Sequence, residues 1–220
     1  MDNIEITNPF IAKLRREYTS RTLDEKDVTA DPVIQFNKWF DEALKAEVPE
    51  PNAMTLATTM VDFKPSARIV LLKGVEDGGF IFFTNYESRK GMELMWNPYG
   101  CLLFFWHELE RQVRIEGRVE KISADASEKY FHSRPRGSQL GAAASPQSHV
   151  IENRDSLEKK MNEMEKKFDG KEIERPMHWG GYKVIPHVME FWQGRPNRLH
   201  DRIRYTFIKQ NEWKIERLAP

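Results

Sequence analysis

Four short stretches of the sequence collect cationic and hydroxyl side chains at spacings that suit the binding of an anion. The densest is FWQGRPNRLHDRIRYTF at residues 191–207, where four arginines surround His200 and Asp201 is the only acid. In an extended chain alternate side chains point the same way, which predicts a cationic strip of Arg198, His200, Arg202 and Arg204. Like charges on such a strip repel each other unless they are solvated or face anions. The alternative is an exposed edge strand that its charge protects from aggregation.

The stretch FFTNYESRKG at residues 82–91 indicates the end of a strand followed by the start of a helix near Ser88. Arg89 and Lys90 then fall in the first helical turn, where the helix dipole disfavours cations. Free backbone N–H groups in that turn favour an anion, and an anion held between the two cations would remove the conflict. A solvated helix start with both cations pointing outward is an equal alternative.

The stretch KYFHSRPRGSQLGAAASPQS at residues 129–148 places Tyr130 and Arg134 four residues apart, which makes them neighbours on one helix face. Ser138 follows in a Pro/Gly turn. Guanidinium and hydroxyl donors together suit a phosphate monoester, although an ordinary polar loop is the alternative.

The fourth stretch, ARIVLLK at residues 67–73, has four apolar residues between Arg68 and Lys73. Placement of both cations at the surface is the simpler interpretation of this stretch alone. Taken together, the four stretches fit one or two ligands that carry a phosphate and a planar ring, but they name no reaction.

The composition excludes several classes of protein. The 34 Lys and Arg residues balance 34 Asp and Glu residues, which counts against a general polyanion binder. Cys101 is the single cysteine, so no disulfide can form within the chain and a reducing compartment is expected. The sequence has no secretory signal and no apolar run near the roughly 20 residues that span a bilayer, so we expect a soluble cytoplasmic protein. The histidines lack zinc-ligand spacing, and no metal site is predicted.

Hydrophobic periodicity predicts an α+β protein dominated by a β-barrel. We expect a partly flexible N-terminal segment over residues 1–30, which includes a short helix at 11–18 and could close over the site, and a single domain over 31–220. The predicted longer helices cover 33–47, 88–96, 123–134 and 156–168. The predicted strands cover 54–60, 67–73, 79–84, 101–107, 112–120, 181–193, 203–209 and 212–217.

Eight segments, in this order along the chain, resemble the pyridoxine/pyridoxamine 5′-phosphate oxidase family. They are RIVLLK (68–73), FTNYESRKG (83–91), ERQVRIEG (110–117), YFHSRPRGSQLGA (130–142), SPQS (145–148), EFWQG (190–194), NRLHDR (197–202) and WKIERLAP (213–220). LRREY at 14–18 also resembles the N-terminal segment of that family. Each motif alone is weak, whereas eight in register are highly specific.

The resemblance implies an antiparallel split β-barrel with peripheral helices, of the FMN-binding split-barrel type. It also implies a homodimer with FMN at the subunit interface. The implied reaction oxidises pyridoxine or pyridoxamine 5′-phosphate to pyridoxal 5′-phosphate, with hydride passing to the flavin and then dioxygen reduced to hydrogen peroxide. In such an enzyme the cofactor carries out the difficult chemistry, and the protein positions and polarises the reacting groups.

The resemblance also assigns roles to individual residues. The FMN phosphate would be held by Arg68, Thr84, Arg89 and Lys90. The flavin would be contacted by Ile69, Val70, Leu71, Leu72, Lys73, Phe83, Gln112, Trp192 and Arg202, and from the partner subunit by Gln147 and Ser148. The substrate phosphate would be bound by Lys73, Tyr130, Arg134 and Ser138. The pyridine ring would lie under Arg198, Leu199 and His200, of which Arg198 and His200 are the catalytic candidates. The site would be closed by Arg15, Arg16, Glu17 and Tyr18.

On this interpretation the strip at 198–202 is cationic because it faces an electron-rich flavin and an anionic substrate. Phe83 departs from the family, because some members have Tyr there, and Ala143 stands where some have Trp. Two other functions are considered. Another split-barrel flavoprotein would keep the FMN residues without the whole substrate set, and a nucleic-acid-binding barrel would use basic strips with aromatic residues.

Overall fold

The computed structural model describes residues 17–18 and 21–220, so most of the helix predicted at 11–18 lies outside the described residues. The described chain contains nine strands and five helices. The strands are β1 Ala53–Thr59, β2 Pro65–Leu71, β3 Gly74–Glu76, β4 Gly79–Asn85, β5 Tyr99–Trp106, β6 Arg111–Lys121, β7 Trp179–Gln193, β8 Asp201–Lys209 and β9 Glu212–Arg217. The helices are α1 Pro32–Lys45, α2 Arg89–Trp96, α3 Ala124–Ser133, α4 Arg136–Ala144 and α5 Arg154–Lys167.

All strand pairs are antiparallel, in the order β2-β1-β5-β6-β7-β4-β3, with β8 on β7 and β9 on β8. Strand β7 is where the sheet divides. Residues 179–184 pair with β4, residues 188–193 pair with β8, and β6 pairs along both halves. Just after β2, the Lys73 amide donates to the Ile81 carbonyl at 2.8 Å. This hydrogen bond joins the end of β2 to β4 and so curls the sheet into a barrel.

The division of β7 coincides with a β-bulge opposite Gly117. The register between β6 and β7 shifts between Glu116 and Gly117, and Gly117 pairs with Pro186. Proline cannot donate a ladder hydrogen bond, so its place in an inner strand is at such an irregularity. A Cβ at Gly117 would lie 2.2 Å from the Ile185 carbonyl oxygen, closer than any real contact.

We therefore expect Gly117→Ala to lower the free energy of unfolding by about 2 kcal/mol, because the β6 and β7 backbones must move apart. Urea denaturation followed by circular dichroism measures this difference. A Cβ at Gly137 meets no atom within 4 Å, so the matched Gly137→Ala change should alter stability by less than about 1 kcal/mol. Equal stability of Gly117→Ala and the unsubstituted protein would contradict this account of the bulge.

Helix α1 packs its apolar face against the barrel core, and its start was correctly predicted from Asp31 and Pro32. The Asp31 carboxylate accepts a hydrogen bond from the Val33 amide at 2.7 Å, as expected for an N-cap residue. Phe36 of α1 is fully buried against Phe80 and Phe104, with ring centroids 4.9 Å and 5.1 Å away. This aromatic core fixes the barrel strands from which the site is built.

A second core holds helices α3 to α5 against the start of β7. It contains Phe131, Leu140, Ile173 and Trp179. Helix α4 was predicted as a turn, which is wrong. Pro135 does end α3, but the following residues form a new helix because Leu140 is buried in this core and Ala144 is also buried. The packing outweighs the low helix propensity of the glycines in α4.

The remaining predicted elements are confirmed with boundaries shifted by at most two residues, and the short strand β3 was missed within a predicted turn. The division at residue 31 stays a prediction, although Leu23 is already buried against the barrel. Within residues 17–18 and 21–220, no helix is long and apolar enough to cross a membrane.

Candidate active site

A cavity of about 660 Å³ opens between the edge strand β2, the end of β4, the start of α2 and helices α3 and α4. Eleven of the predicted site residues line it: Ile69, Val70, Leu71, Lys73, Phe83, Thr84, Lys90, Tyr130, Arg134, Ser138 and Gln147. Leu72 points into the barrel core instead. The side chains of Ile69 and Leu71 are exposed on the cavity wall, and Ile69 is 64% exposed. An apolar surface beside an unpaired strand edge suits a flat ring with polar edges.

Lys90 is the buried cation of this cavity. Its Nζ donates to the Gln147 side-chain oxygen at 3.0 Å and to the Ser88 hydroxyl at 3.3 Å, and both partners are neutral. Thr84 donates to the same oxygen of Gln147 at 3.2 Å. Burial, with a further contribution from Arg68, lowers the pKa of Lys90 to about 8, against the opposing effect of Glu93. A half-desolvated cation with neutral partners is suited to an incoming anion.

The turn before α2 presents Lys90 to the cavity. The Ser88 hydroxyl caps α2 by accepting from the Gly91 amide, and it donates to the Asn85 carbonyl at 2.6 Å. A Cβ at Gly91 would lie 2.0 Å from the Tyr86 carbonyl oxygen, so the strand-to-helix turn is as tight as glycine allows. The helix start predicted from the sequence is confirmed.

Arg68 and Arg89 do not line the cavity. Both form ion pairs with Glu93, which lies behind Lys90. Arg68 Nη2 lies 2.9 Å from Glu93 Oε2, and Arg89 Nε lies 2.9 Å from Glu93 Oε1. Burial alone would raise the pKa of Glu93, but hydrogen bonds from Ser66, Thr58 and the two arginines together lower it to about 2. Glu93 was missed in the sequence, although its i,i+4 spacing from Arg89 was a usable signal.

Arg134 is the second cation of the cavity, and it is half-buried. Its guanidinium lies 4.6 Å from the ring centroid of Trp179, and its Nη1 is buried without a hydrogen-bond partner among the described residues. Burial lowers the pKa of Arg134 from its ordinary value. Tyr130 is stacked on Phe83 at 3.8 Å between centroids, and Trp179 lies nearly parallel to both rings, 5.4 Å from Phe83 and 6.3 Å from Tyr130. Phe83 thus acts as a stacking partner and needs no hydroxyl there, and Trp179 is a residue that sequence reasoning missed.

A separate group of predicted residues lies on the outer face of the sheet, away from the cavity. Gln112, Trp192 and Arg202 are cross-strand neighbours on β6, β7 and β8. The ring of His200 lies 4.6 Å from that of Trp192, and Tyr18 packs edge-on against both rings at 5.7 and 5.8 Å. None of these five residues lines the cavity.

The structure defines the protonation state of His200. Its Nδ1 accepts a hydrogen bond from the Arg195 backbone amide at 3.1 Å, so the neutral ring carries its proton on Nε2. Burial lowers the pKa of His200 below its usual value, and Arg198 lowers it further, while Asp201 opposes both. His200 is therefore a neutral hydrogen-bond donor near pH 7.

The cationic strip predicted at 198–205 is wrong in its geometry and in its charge. Residues 196–198 form a 3₁₀ turn in which Arg198 has φ +62°, and the strand begins only at Asp201. Strand β8 lies between β7 and β9, so the edge-strand alternative is also wrong. Two of the arginines pair with acids twelve residues away, Arg202 with Glu190 at 2.8 Å and Arg204 with Glu216 at 2.9 Å, and Arg195 pairs with Asp201 of the same stretch at 3.4 Å. Arg198 is exposed, and its guanidinium has no hydrogen-bond or ion-pair partner within the described part of the chain.

The grouping of site residues by subunit also differs from the prediction. Gln147, which was assigned to the partner subunit, lies against Thr84 and Lys90 of its own chain. Gln112 on β6 is three strand spacings from β2, about 14 Å along the sheet. Ser148 is exposed outside the cavity lining, with φ +72°. Among the remaining predicted residues, Arg15 and Arg16 lie outside the described residues, and Glu17 and Leu199 are exposed.

Comparison with known proteins decides the family. Residues 40–168 match the family model described as pyridoxamine 5′-phosphate oxidase. Residues 179–220 match the model of a pyridoxine 5′-phosphate oxidase C-terminal dimerisation region. The chain belongs to the pyridoxamine 5′-phosphate oxidase family. The resemblance found in the sequence is thereby confirmed.

Relatives within this family match along their whole length. The pyridoxine/pyridoxamine 5′-phosphate oxidase of Acaryochloris marina (strain MBIC 11017) is 56% identical over 220 residues, which covers 100% of both chains. That of Cupriavidus pinatubonensis (strain JMP 134 / LMG 1197) is 58% identical over 210 residues, covering 96% of this chain and 99% of the relative.

Solved structures confirm the predicted split-barrel fold. PhzG from Burkholderia lata 383, in complex with tetrahydrophenazine-1-carboxylic acid, gives a TM-score of 0.85 at 32% identity and covers 92% of this chain and 99% of its own. A pyridoxamine 5′-phosphate oxidase-related, FMN binding protein from Nostoc punctiforme PCC 73102 gives 0.67 at 17% identity, covering 84% of this chain and 97% of its own. The second likeness concerns the fold alone.

Proposed function

We propose that this protein is an FMN-dependent oxidase that converts pyridoxamine or pyridoxine 5′-phosphate to pyridoxal 5′-phosphate. The names of its full-length relatives support the reaction. The observation that carries the proposal is one cavity with two cations, the buried Lys90 and the half-buried Arg134, neither of which has a charged hydrogen-bond partner among the described residues. Two such positions suit two phosphate groups, one on the cofactor and one on the substrate.

The residues around Lys90 fit FMN. Lys90 and Thr84 would bind its phosphate, with Arg68 and Arg89 close behind them. The exposed apolar side chains of β2 and the free edge of that strand would hold the ring system. When bound, FMN would supply the acceptor for a hydride from the substrate and pass the electrons to dioxygen, giving hydrogen peroxide.

The residues around Arg134 fit the substrate phosphate. The orphaned Nη1 of Arg134 is a donor without an acceptor, and a buried donor left unsatisfied costs about 1–3 kcal/mol. Tyr130, Ser138 and Lys73 line the same cavity and provide further donors. The stack of Tyr130 on Phe83 fixes the phenol, so little side-chain entropy is lost when it binds.

We further propose that the working enzyme is a homodimer in which each copy completes the cavity of the other. The group formed by Gln112, Trp192, Arg202, Arg198 and His200 lies away from the cavity of its own chain. A second copy is the simplest source of these residues, and the match of residues 179–220 to a dimerisation region supports it. Within this group, His200 would donate from Nε2 to a ring substituent of the substrate, and Arg198 would place a positive charge where negative charge develops.

The pKa of Lys90 predicts how FMN binding depends on pH. Below pH 8 the lysine is charged and attracts the phosphate, whereas above pH 8 it is neutral in the apoprotein and must take up a proton on binding. We expect FMN affinity to be constant from pH 7 to 8 and then to fall by up to about tenfold per pH unit. Quenching of flavin fluorescence by the apoprotein measures this affinity.

Two controls isolate Lys90 as the cause. Riboflavin lacks the phosphate, so its affinity should not change between pH 7 and 9. Lys90→Arg keeps the charge throughout this range and should abolish the fall in FMN affinity. A fall that persists in Lys90→Arg would assign the pH dependence to another group.

The proposed reaction is tested by supplying the FMN-loaded protein with pyridoxamine or pyridoxine 5′-phosphate in air. Oxygen uptake, hydrogen peroxide and pyridoxal 5′-phosphate should appear in equal amounts. Pyridoxamine without its phosphate should react far more slowly, because Arg134 then lacks its partner. Absence of oxygen uptake with both phosphorylated substrates would favour another split-barrel flavoprotein, such as one that takes an unphosphorylated ring acid as in the PhzG complex.

A further inference from the structure

We propose that Glu93 is a positioning residue that orients Arg68 and Arg89 and sets the net charge of the phosphate subsite, so that the site selects a phosphorylated flavin. The inference rests on the proposed function, and it adds a residue that contacts neither ligand. It is drawn from the contacts of one buried carboxylate.

The Glu93 carboxylate is 1% exposed, and both of its oxygens are fully engaged. Oε1 accepts from the Ser66 hydroxyl at 2.8 Å and from Arg89 Nε at 2.9 Å. Oε2 accepts from the Thr58 hydroxyl at 2.5 Å and from Arg68 Nη2 at 2.9 Å, and it lies 2.6 Å from the Ser66 hydroxyl, whose single proton the two carboxylate oxygens share. Burial of a charged carboxylate is costly unless it is paired and hydrogen-bonded in this way.

These contacts tie three elements together at the back of the cavity. Thr58 lies on β1, Ser66 and Arg68 lie on β2, and Glu93 lies on α2 one turn after Arg89. Thr58 and Ser66 are a cross-strand pair, so their two hydroxyls form a fixed platform for the carboxylate. Any shift of α2 against β2 would break the contacts of Glu93 with Thr58, Ser66 and Arg68, and it would move Arg68 relative to Lys90.

The net charge of the residues around Glu93 matches that of a phosphate monoester with opposite sign. Arg68, Arg89 and protonated Lys90 contribute three positive charges, and Glu93 removes one. The remaining two balance a phosphate monoester, which carries about −1.5 to −2 at neutral pH. Glu93 also supports the charged form of Lys90. Loss of the carboxylate would leave three cations crowded together and a more easily deprotonated lysine.

A carboxylate near a phosphate site could also compete with the ligand for the arginine donors. The geometry favours positioning, because Glu93 takes only Nε of Arg89 and leaves both terminal nitrogens of that side chain for a ligand. Nε of Arg68 is likewise not used by Glu93, whose bond to that residue is through Nη2. If Glu93 positions the arginines, removing its charge should weaken FMN binding. If it competes with the ligand, removing its charge should leave FMN binding equal or tighter.

The test is the affinity of the apoprotein for FMN and for riboflavin, measured by fluorescence quenching in the unsubstituted protein, Glu93→Gln and Glu87→Gln. We expect Glu93→Gln to bind FMN about 10- to 100-fold more weakly, with riboflavin affinity unchanged. The fall of FMN affinity with pH should also begin at a lower pH in this variant. Glu87 is an exposed glutamate in the turn before α2, and its substitution should change neither affinity.

FMN affinity in Glu93→Gln equal to or tighter than in the unsubstituted protein would overturn the inference and favour competition. A parallel loss of FMN and riboflavin affinity would also overturn it, since a merely structural role gives that result. If Glu93→Gln fails to fold, Ser66→Ala removes one donor to the carboxylate and should cause a smaller loss specific to FMN. An unsubstituted protein that binds FMN no better than riboflavin would defeat the proposed function itself, which separates the two failures.

Discussion

Replacing Arg134 with alanine should lower kcat/KM for pyridoxamine 5′-phosphate by about 10²- to 10³-fold, the usual loss when one partner of a buried charged hydrogen bond is removed. Arg134 lines the cavity, its guanidinium lies against Trp179, and its Nη1 is buried without a hydrogen-bond partner among the described residues. We expect this guanidinium to gain an acceptor when the substrate phosphate binds. Most of the loss should appear in KM, because the phosphate is held equally in the ground state and the transition state. Steady-state oxygen uptake measures both constants.

Three comparisons make this prediction specific. FMN affinity should stay within about twofold of the unsubstituted protein, because Arg134 is not among the groups that contact Lys90. Arg136 is an exposed arginine two residues away that bonds to the Phe168 and Lys171 carbonyls, and Arg136→Ala should leave KM unchanged. Unphosphorylated pyridoxamine should be turned over equally by Arg134→Ala and the unsubstituted enzyme. Loss of FMN from Arg134→Ala would show that this residue binds the cofactor instead.

Replacing Arg198 with alanine should leave FMN binding nearly intact and lower kcat by about 10²-fold, a typical loss for one group that stabilises developing charge. Arg198 is exposed on a 3₁₀ turn beside His200, with no described partner to neutralise it. Its positive φ of 62° is uncommon for a residue other than glycine, and such conformations persist mainly at functional sites. We infer that the turn is shaped to present this guanidinium, so its removal should affect the reaction more than the fold.

Two variants distinguish the side chain from the backbone. Arg198→Asn removes the guanidinium but tolerates positive φ well, so it should match Arg198→Ala in kcat and exceed it in stability. Arg198→Lys keeps the charge and should recover part of the rate. The pKa of His200 should rise in Arg198→Ala, because Arg198 contributes to lowering it, and the acid limb of the rate profile should move to higher pH. Release of flavin from Arg198→Ala would mean that this residue had been assigned to the wrong ligand.

The sequence predicted local features well where one short pattern decides them. The Asp31-Pro32 helix start, the Ser88 turn and the alternating strand at 112–120 depend on neighbouring residues, and the structure confirms each. Helix α4 was missed because Leu140 is buried in a core shared with the distant Ile173 and Trp179, which no local pattern reveals.

The electrostatics of the site could not be predicted locally. The arginines of 191–207 appeared unpaired because Glu190 and Glu216 meet them across strands. The interpretation as a nucleic-acid-binding barrel loses its main support for the same reason, since the basic strip is largely neutralised within the chain. Glu93 was overlooked because its partners Thr58, Ser66 and Arg68 lie 25 to 35 residues away.

The division of the candidate site into two groups depends on strand order and register. Gln112 and Leu71 belong to the same set of motifs in the sequence, yet β1 and β5 lie between their strands. No spacing in the sequence encodes that separation. It gives the physical reason to propose a second copy of the chain at each cavity.

The most direct test of the central claim is the visible absorption spectrum of the FMN-loaded protein, recorded without oxygen while pyridoxamine 5′-phosphate is added. We expect the flavin absorption to bleach by one equivalent per site, pyridoxal 5′-phosphate to appear in equal amount, and the absorption to return when air is admitted. A flavin spectrum that does not bleach with pyridoxamine or pyridoxine 5′-phosphate would contradict the proposed oxidase. Failure of the apoprotein to bind FMN at all would contradict the assignment of the Lys90 cavity as well.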